Sequence, residues 1–334
     1  MRPHLGLNLD IQLSQYIDMW GEMMAKLSIQ LFGKFSVRRN ERILDGFDAH
    51  KIQELFCYLL LHRDHSLPRE TLASILWPET TTTQSKKNLR QALWQLQSAL
   101  GSQSEPANNR LLLVDPDWIQ LNSEADLWLD VAEFEQVFNL VQKTPGQEID
   151  STTAQLLQDT VQLYQGPLLE GWYQDWCLLE RERLQSMYLA MLDKLMSYCE
   201  VHHDYETGLL YGTRIMCYDR ARERTHRRMM RLYYLLGDRA EALRQYERCA
   251  AALEEELGIQ PSKSTTAIYR QIQADQLDEP IFALVEVDTS PEVPAPPMLE
   301  ILNHLSHLQR SLVDLQNEVQ QSIQMVEMAL HNNQ

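Results

Sequence analysis

Between Thr80 and Gly101 the chain reads TTTTQSKKNLRQALWQLQSALG, and its apolar residues fall on a single stripe. Leu89, Ala92, Leu93, Leu96 and Leu100 recur at the spacing of one helix face, so the pattern predicts an amphipathic helix over 84–100, stopped by Gly101. At roughly 100° per residue, burying the leucines turns Gln84, Lys87, Gln91, Trp94 and Ser98 outward, with Asn88, Arg90 and Gln95 on the flanks. Side chains of this kind hydrogen-bond base edges and phosphates, and they equally make an ordinary solvated face.

The flanking patterns give this helix a setting. Leu27, Ile29 and Leu31 alternate, Gly33 punctuates, and Phe35 and Val37 alternate again, which predicts short strands in a meander. Ile52, Leu55, Phe56, Leu59 and Leu60 have helical spacing. Pro68 is placed for the first turn of a second helix carrying Leu72, Ile75 and Leu76, and Pro78 bars its continuation past Trp77. After a polar loop, Leu111 to Val114 and Trp118 to Leu121 flank Asp115, Pro116 and Asp117, which reads as a hairpin. Strands, three helices and a hairpin are the plan of a winged helix-turn-helix.

The pieces IQLFGKFSV, LPRETLASILWP and NLRQALWQLQSAL, with the closing hairpin, resemble the response-regulator type of winged helix over residues 27–122, in the version found in SARP-type bacterial transcriptional regulators. The resemblance implies duplex DNA as partner, with the third helix in the major groove and the hairpin along the backbone or minor groove. The DNA-binding residues are then Lys86, Lys87 and Arg90 for charge, and Gln84, Asn88, Gln91 and Gln95 for hydrogen bonds. Two departures stand out. Gln95 and Gln97 occupy positions where the class often carries arginine, and Asp115 and Asp117 make the wing tip acidic. The charge on the reading helix corresponds to about two or three phosphates, against six to ten in a strong binder, so a single copy is expected to bind weakly.

From Asp126 onward the pattern is helical. Two blocks are offset by 34 residues, the tetratricopeptide period, with Asp204 matching Asp238, Gly208 matching Ala242 and Leu195 matching Met229. Tyr164 and Tyr198 extend that register faintly. The stretches DVAEFEQ, YQGPLLEGWYQDWCLLERERL and ALRQYERCAAALEEELGIQPSKSTTAIYRQI resemble the bacterial transcriptional activator domain (BTAD) that follows the winged helix in the same regulators. That resemblance implies self-association and contact with RNA polymerase. The expected fold class is therefore mainly α: a winged helix-turn-helix (α+β) at 27–122, an α-helical tetratricopeptide-like domain at 123–277, and a coiled-coil-like helix at the end. Residues 278–297 read as a Pro-rich acidic linker. In 298–331, Met298, Ile301, Leu305, Leu308, Leu312, Leu315 and Val319 form a heptad seam, which either joins copies of the chain or packs against its own protein. Residues 1–26 stay unassigned, and Met23 or Met24 is an alternative translation start.

Charge refines this picture. The net charge is −17, distributed as −1 over residues 1–26, +1 over 27–122 and −17 over 123–334, so the DNA-facing segment is near neutral. Arg214, Arg220, Arg222, Arg224, Arg227, Arg228 and Arg231 crowd one helical region, where pairing with carboxylates such as Glu206, Asp219, Glu223 and Asp238 is the expected role. The five cysteines lack a C-x-x-C pair and read as buried apolar residues in a reducing, cytoplasmic setting. No run is long enough to span a membrane and no secretory signal is visible. Cys199, His202, His203 and Cys217 match zinc spacing poorly, so no metal is expected. No phosphate-binding glycine loop occurs, no cofactor is implied, and no catalytic residue stands out. The rival to a DNA-binding regulator is a protein-interaction scaffold that keeps the winged fold.

Overall fold

The computed structural model describes residues 27–40, 42–101 and 110–277. The expectations for 1–26, 278–297 and 298–331 lie outside these residues. The alternating N-terminal residues form β1 (Leu27–Gln30) and β2 (Ser36–Arg39), antiparallel, with Ile29 opposite Val37; β3 (Arg42–Ile43) continues the meander. Leu27, Ile29 and Val37 face the core, as period-2 alternation requires.

Helix α1 (His50–Leu61) buries Ile52, Leu55, Phe56, Leu59 and Leu60. The short strand β4 (Leu67–Pro68) leads into α2 (Arg69–Leu76). Pro68 thus precedes the helix instead of standing in its first turn. Its extended backbone (ψ 134°) pairs across from Trp118, where a missing N–H is tolerated. α2 stops before Pro78, and α3 (Thr82–Ala99) follows a short turn. β5 (Leu112–Val114) and β6 (Trp118–Leu121) make the predicted hairpin, and with β4 they form a three-stranded sheet in the order β4-β6-β5.

β7 (Leu127–Leu129) then returns to the first sheet. It lies parallel to β1, with Leu27 opposite Leu127 and Ile29 opposite Leu129. The helical array begins directly after it: α4 (Asp130–Val141), a 3-10 turn (Gly146–Glu148), α5 (Ser151–Leu163), α6 (Asp175–Val201), α7 (Tyr205–Tyr218), α8 (Glu223–Leu235), α9 (Arg239–Leu257) and α10 (Lys263–Gln273). The 34-residue offset is physical. Asp204 caps α7 by accepting from the Thr207 N–H, and Asp238 caps α9 by accepting from the Glu241 N–H. Gly208 stands where helices touch: a Cβ there would come within 3.0 Å of Leu232 and 3.3 Å of Cys199.

The two halves share one core, from Leu27 through Leu232. Beyond the β1–β7 pairing, a loop of the helical half extends the N-terminal sheet. Leu169 N–H donates to Leu31 O at 2.8 Å, Gly33 N–H to Pro167 O at 3.0 Å, and Glu170 N–H to Gly33 O at 2.7 Å. Arg181 holds that loop from below, donating to the carbonyls of Leu168, Leu169 and Trp172, each at 2.9 Å. Phe32 meets Phe134 edge-on at 5.0 Å and Tyr164 at 4.9 Å. Glu135 joins Arg63, in the turn after α1, to Arg183 of α6. Asp130 is the deepest tie. Its carboxylate is 2% exposed and accepts from the N–H groups of Leu31 (2.8 Å), Phe32 (2.9 Å) and Val131 (2.7 Å). Burial raises its pKa to about 7, and those three N–H donors oppose the rise.

Two expectations change in detail. Four cysteines are buried as read, but Cys217 is exposed, because it lies on the solvent side of α7. The arginines do pair with carboxylates, but mostly with distant ones. Arg228 reaches Asp193 at 3.0 Å and Glu200 at 3.6 Å, Arg231 reaches Glu200 at 3.2 Å, Arg224 reaches Asp193 at 3.5 Å, and Arg220 reaches Glu255 at 3.2 Å. Stacking brings α8 beside α6, so its long side chains find acids there instead of on neighbouring residues in sequence.

Candidate nucleic-acid interface

Helix α3 is held by its leucines. Leu89, Ala92, Leu93 and Leu96 are buried, and the helix packs against α1 and α2. Gln84, Lys87, Arg90, Gln91, Trp94 and Ser98 are exposed, and Lys86, Asn88 and Gln95 are half-buried. One face therefore carries Gln84, Lys87, Gln91, Trp94 and Ser98 to solvent, as the spacing predicted. Asn88 is not independent of that row, since Gln84 Nε2 donates to Asn88 Oδ1 at 2.8 Å. The pair fixes both amides on the first two turns.

The start of α3 is electrostatically open. Its first turn carries no acid, and the N-cap Thr81 makes no side-chain hydrogen bond to the helix. The positive end of the helix dipole and its first N–H groups thus face outward, an arrangement that favours a phosphate. Ser85 is buried and its hydroxyl donates to Thr82 O at 3.0 Å, which keeps the threonine-led turn wound.

Not every expected cation is available. Lys86 Nζ lies 2.5 Å from Glu70 Oε1 of α2, and that hydrogen bond and charge hold the Glu70 carboxyl below its usual range. Arg90 Nε donates to Lys86 O at 3.4 Å, which lays its side chain back along the helix. Lys87 is exposed on the outward row. The sequence pattern gives no sign of the Lys86–Glu70 pair, because its partners are 16 residues apart on different helices.

The wing is tied to the same helices. Arg69, the first residue of α2, donates its backbone N–H to Asp117 O at 2.9 Å and its Nη1 to Asp115 O at 3.1 Å. A guanidinium therefore stands at the base of the acidic tip, a residue the sequence reading did not select. The wing also exposes Leu113, Val114 and Trp118, and α3 exposes Trp94 at 59%. Among the described residues no group of three or more His, Cys, Asp or Glu side chains could hold a metal ion.

Comparison with known proteins bears on the helices behind this interface. Residues 129–273 match the family model for the bacterial transcriptional activator domain. Over these residues the chain is similar to a BTAD. A winged helix therefore precedes a helical domain that is similar to that family. The match begins at Leu129, one residue before the Asp130 that ties the BTAD to β1. Among solved structures, Mycobacterium tuberculosis EmbR in complex with a low-affinity phosphopeptide is similar in fold. The TM-score is 0.59 at 17% identity, over 76% of this chain and 67% of that one. No curated protein sequence matches the chain. No helix among the described residues is long and apolar enough to cross a membrane.

Proposed function

We propose that this protein binds duplex DNA through α3 and regulates transcription, most directly as an activator. The observation that carries the reading is the outward row of α3: Gln84, Lys87 and Gln91 stand exposed on a helix whose N-terminal turn is open to a phosphate. In this mechanism the first turns enter the major groove. Gln84, Asn88, Gln91 and Gln95 offer hydrogen bonds to base edges, and Lys87 and Arg90 offer charge to phosphates, joined by Lys86 when it leaves Glu70. Arg69 and the β5–β6 hairpin approach the adjacent backbone. The joint around Asp130 sets how the BTAD is oriented when α3 is bound. The BTAD then contacts a second copy or RNA polymerase, with residues 298–331 as a further route to self-association.

One set of observations favours a second reading, a protein-interaction scaffold with a winged fold. Lys86 is neutralised by Glu70, the wing tip is acidic, and Trp94 and Trp118 offer apolar surface. Selection from randomised duplex DNA separates the two. The DNA reading expects an enriched motif, with Gln91→Ala relaxing the preference at one base pair; absence of enrichment favours the scaffold.

A further inference from the structure

The BTAD contains two comparable grooves that differ in one respect. α5 and α7 flank α6, and α7 and α9 flank α8. The first groove is filled with tyrosines: Tyr164 stacks on Tyr188 at 4.1 Å, and Tyr218 meets their edges at 6.1 and 5.7 Å. The second holds a cavity of about 380 Å³.

The 34-residue register explains the difference. Tyr218 corresponds to Ala252, Tyr211 to Gln245, and Leu192 to His226. The large rings of one unit are a methyl and an amide in the next, so the space between α7 and α9 stays open. Its floor is polar and ordered. His226 and Gln245 are 4% and 2% exposed. His226 Nε2 is 2.8 Å from Arg220 O, and Gln245 Nε2 is 2.8 Å from His226 Nδ1. The carbonyl takes the Nε2 proton, so Nδ1 accepts from the amide and the ring is neutral.

We propose that this groove is a binding site for a small organic anion with an apolar, ring-sized body. Met216, Met229, Tyr233 and Ala252 supply apolar walls, and Arg220 and Arg248 also line the groove. Both guanidinium groups are anchored by protein carboxylates, Arg220 to Glu255 and Arg248 to Glu241, and Arg248 Nη1 also donates to Gln245 Oε1 at 2.8 Å. Anchoring orients them, and each has more N–H donors than these contacts use. Burial holds His226 below the usual histidine range, and the Arg248 charge adds to that lowering. A volume of this size is typical of small-molecule sites built from apolar walls and a few placed polar groups.

The test uses the full chain and two ring-matched probes, the anion 8-anilinonaphthalene-1-sulfonate and the uncharged N-phenyl-1-naphthylamine. The anion is expected to bind about tenfold more tightly than the neutral compound, since a charge-assisted contact of this kind commonly gives such a factor. Arg248→Gln should remove that preference. Ala252→Tyr, which restores the ring of the preceding unit, should weaken both probes. Cys217 lines the groove and is the one exposed cysteine among the five, so its alkylation by iodoacetamide should slow when the anion is bound. Equal affinity for the two probes would overturn the proposal, as would unchanged binding in Arg248→Gln. If Ala252→Tyr does not fold, Cys217 protection decides, and alkylation unaffected at saturating anion rejects the site.

Discussion

The carboxylate of Asp130 accepts the backbone N–H of Leu31 at 2.8 Å, linking the first residue of the BTAD's leading helix to the residue that follows the first strand of the winged half. Leu31 and Asp130 are 99 residues apart, and both are buried. Asp130→Ala should leave the N–H groups of Leu31 and Phe32 without this acceptor, costing about 1–3 kcal/mol per unsatisfied buried group. The measurement is the urea midpoint of the full chain; a midpoint equal to that of the unsubstituted chain would show that the tie is not structural.

Acid and base should pull on stability in opposite senses at two sites. The Asp130 carboxyl titrates near 7, above its ordinary value, so the native chain binds more protons than the unfolded one between about 4 and 7. Its contribution is full below about 4 and is lost as the pH rises to 7. His226 is held low by burial, so its contribution is present above the ordinary histidine value of about 6.5 and is lost as the pH falls through it. Melting temperatures across pH 5 to 8 should therefore gain slope on acidification in Asp130→Asn and lose it in His226→Gln. Identical profiles for all three proteins would refute the assignment.

Lys86 is engaged by Glu70 across the α2–α3 turn. Glu70→Gln should free it while leaving stability almost unchanged, since exposed ion pairs contribute little. For DNA binding, one further phosphate neutralised steepens the logarithmic salt dependence by about 0.9. A titration at several salt concentrations checks this; an unchanged slope would mean that Lys86 does not approach phosphate.

Residues 27–122 alone should not form the native winged fold. The truncation removes β7 and the 167–170 loop, which pair with β1 and the segment after it, and it exposes Ile29, Leu31 and Phe32. Residues 27–277 retain all of these partners. Dispersed amide resonances from the shorter fragment would contradict the prediction.

The exposed row of α3 could be read from residue spacing. The outward row of α3 follows from the leucine stripe because a helix fixes direction at every position, and the 34-residue offset paired Asp204 with Asp238, whose shared role as caps came from the structure. What spacing could not reveal lies in pairings between distant elements. The β1–β7 register, the Asp130 tie, the Lys86–Glu70 bond and the acids that meet the α8 arginines all join segments whose proximity is set by packing. The second groove lies between these cases. Ala252 for Tyr218 was visible at the 34-residue register, but its consequence needed the stacked tyrosines beside it.

The most direct test of the central claim is the affinity of the full chain for its best selected duplex, measured across salt concentration beside the Lys87→Glu, Arg90→Glu double variant. The account predicts a logarithmic slope of about −2 to −3 and a loss of tenfold or more on charge reversal. A salt-independent affinity that the double variant leaves unchanged would contradict it.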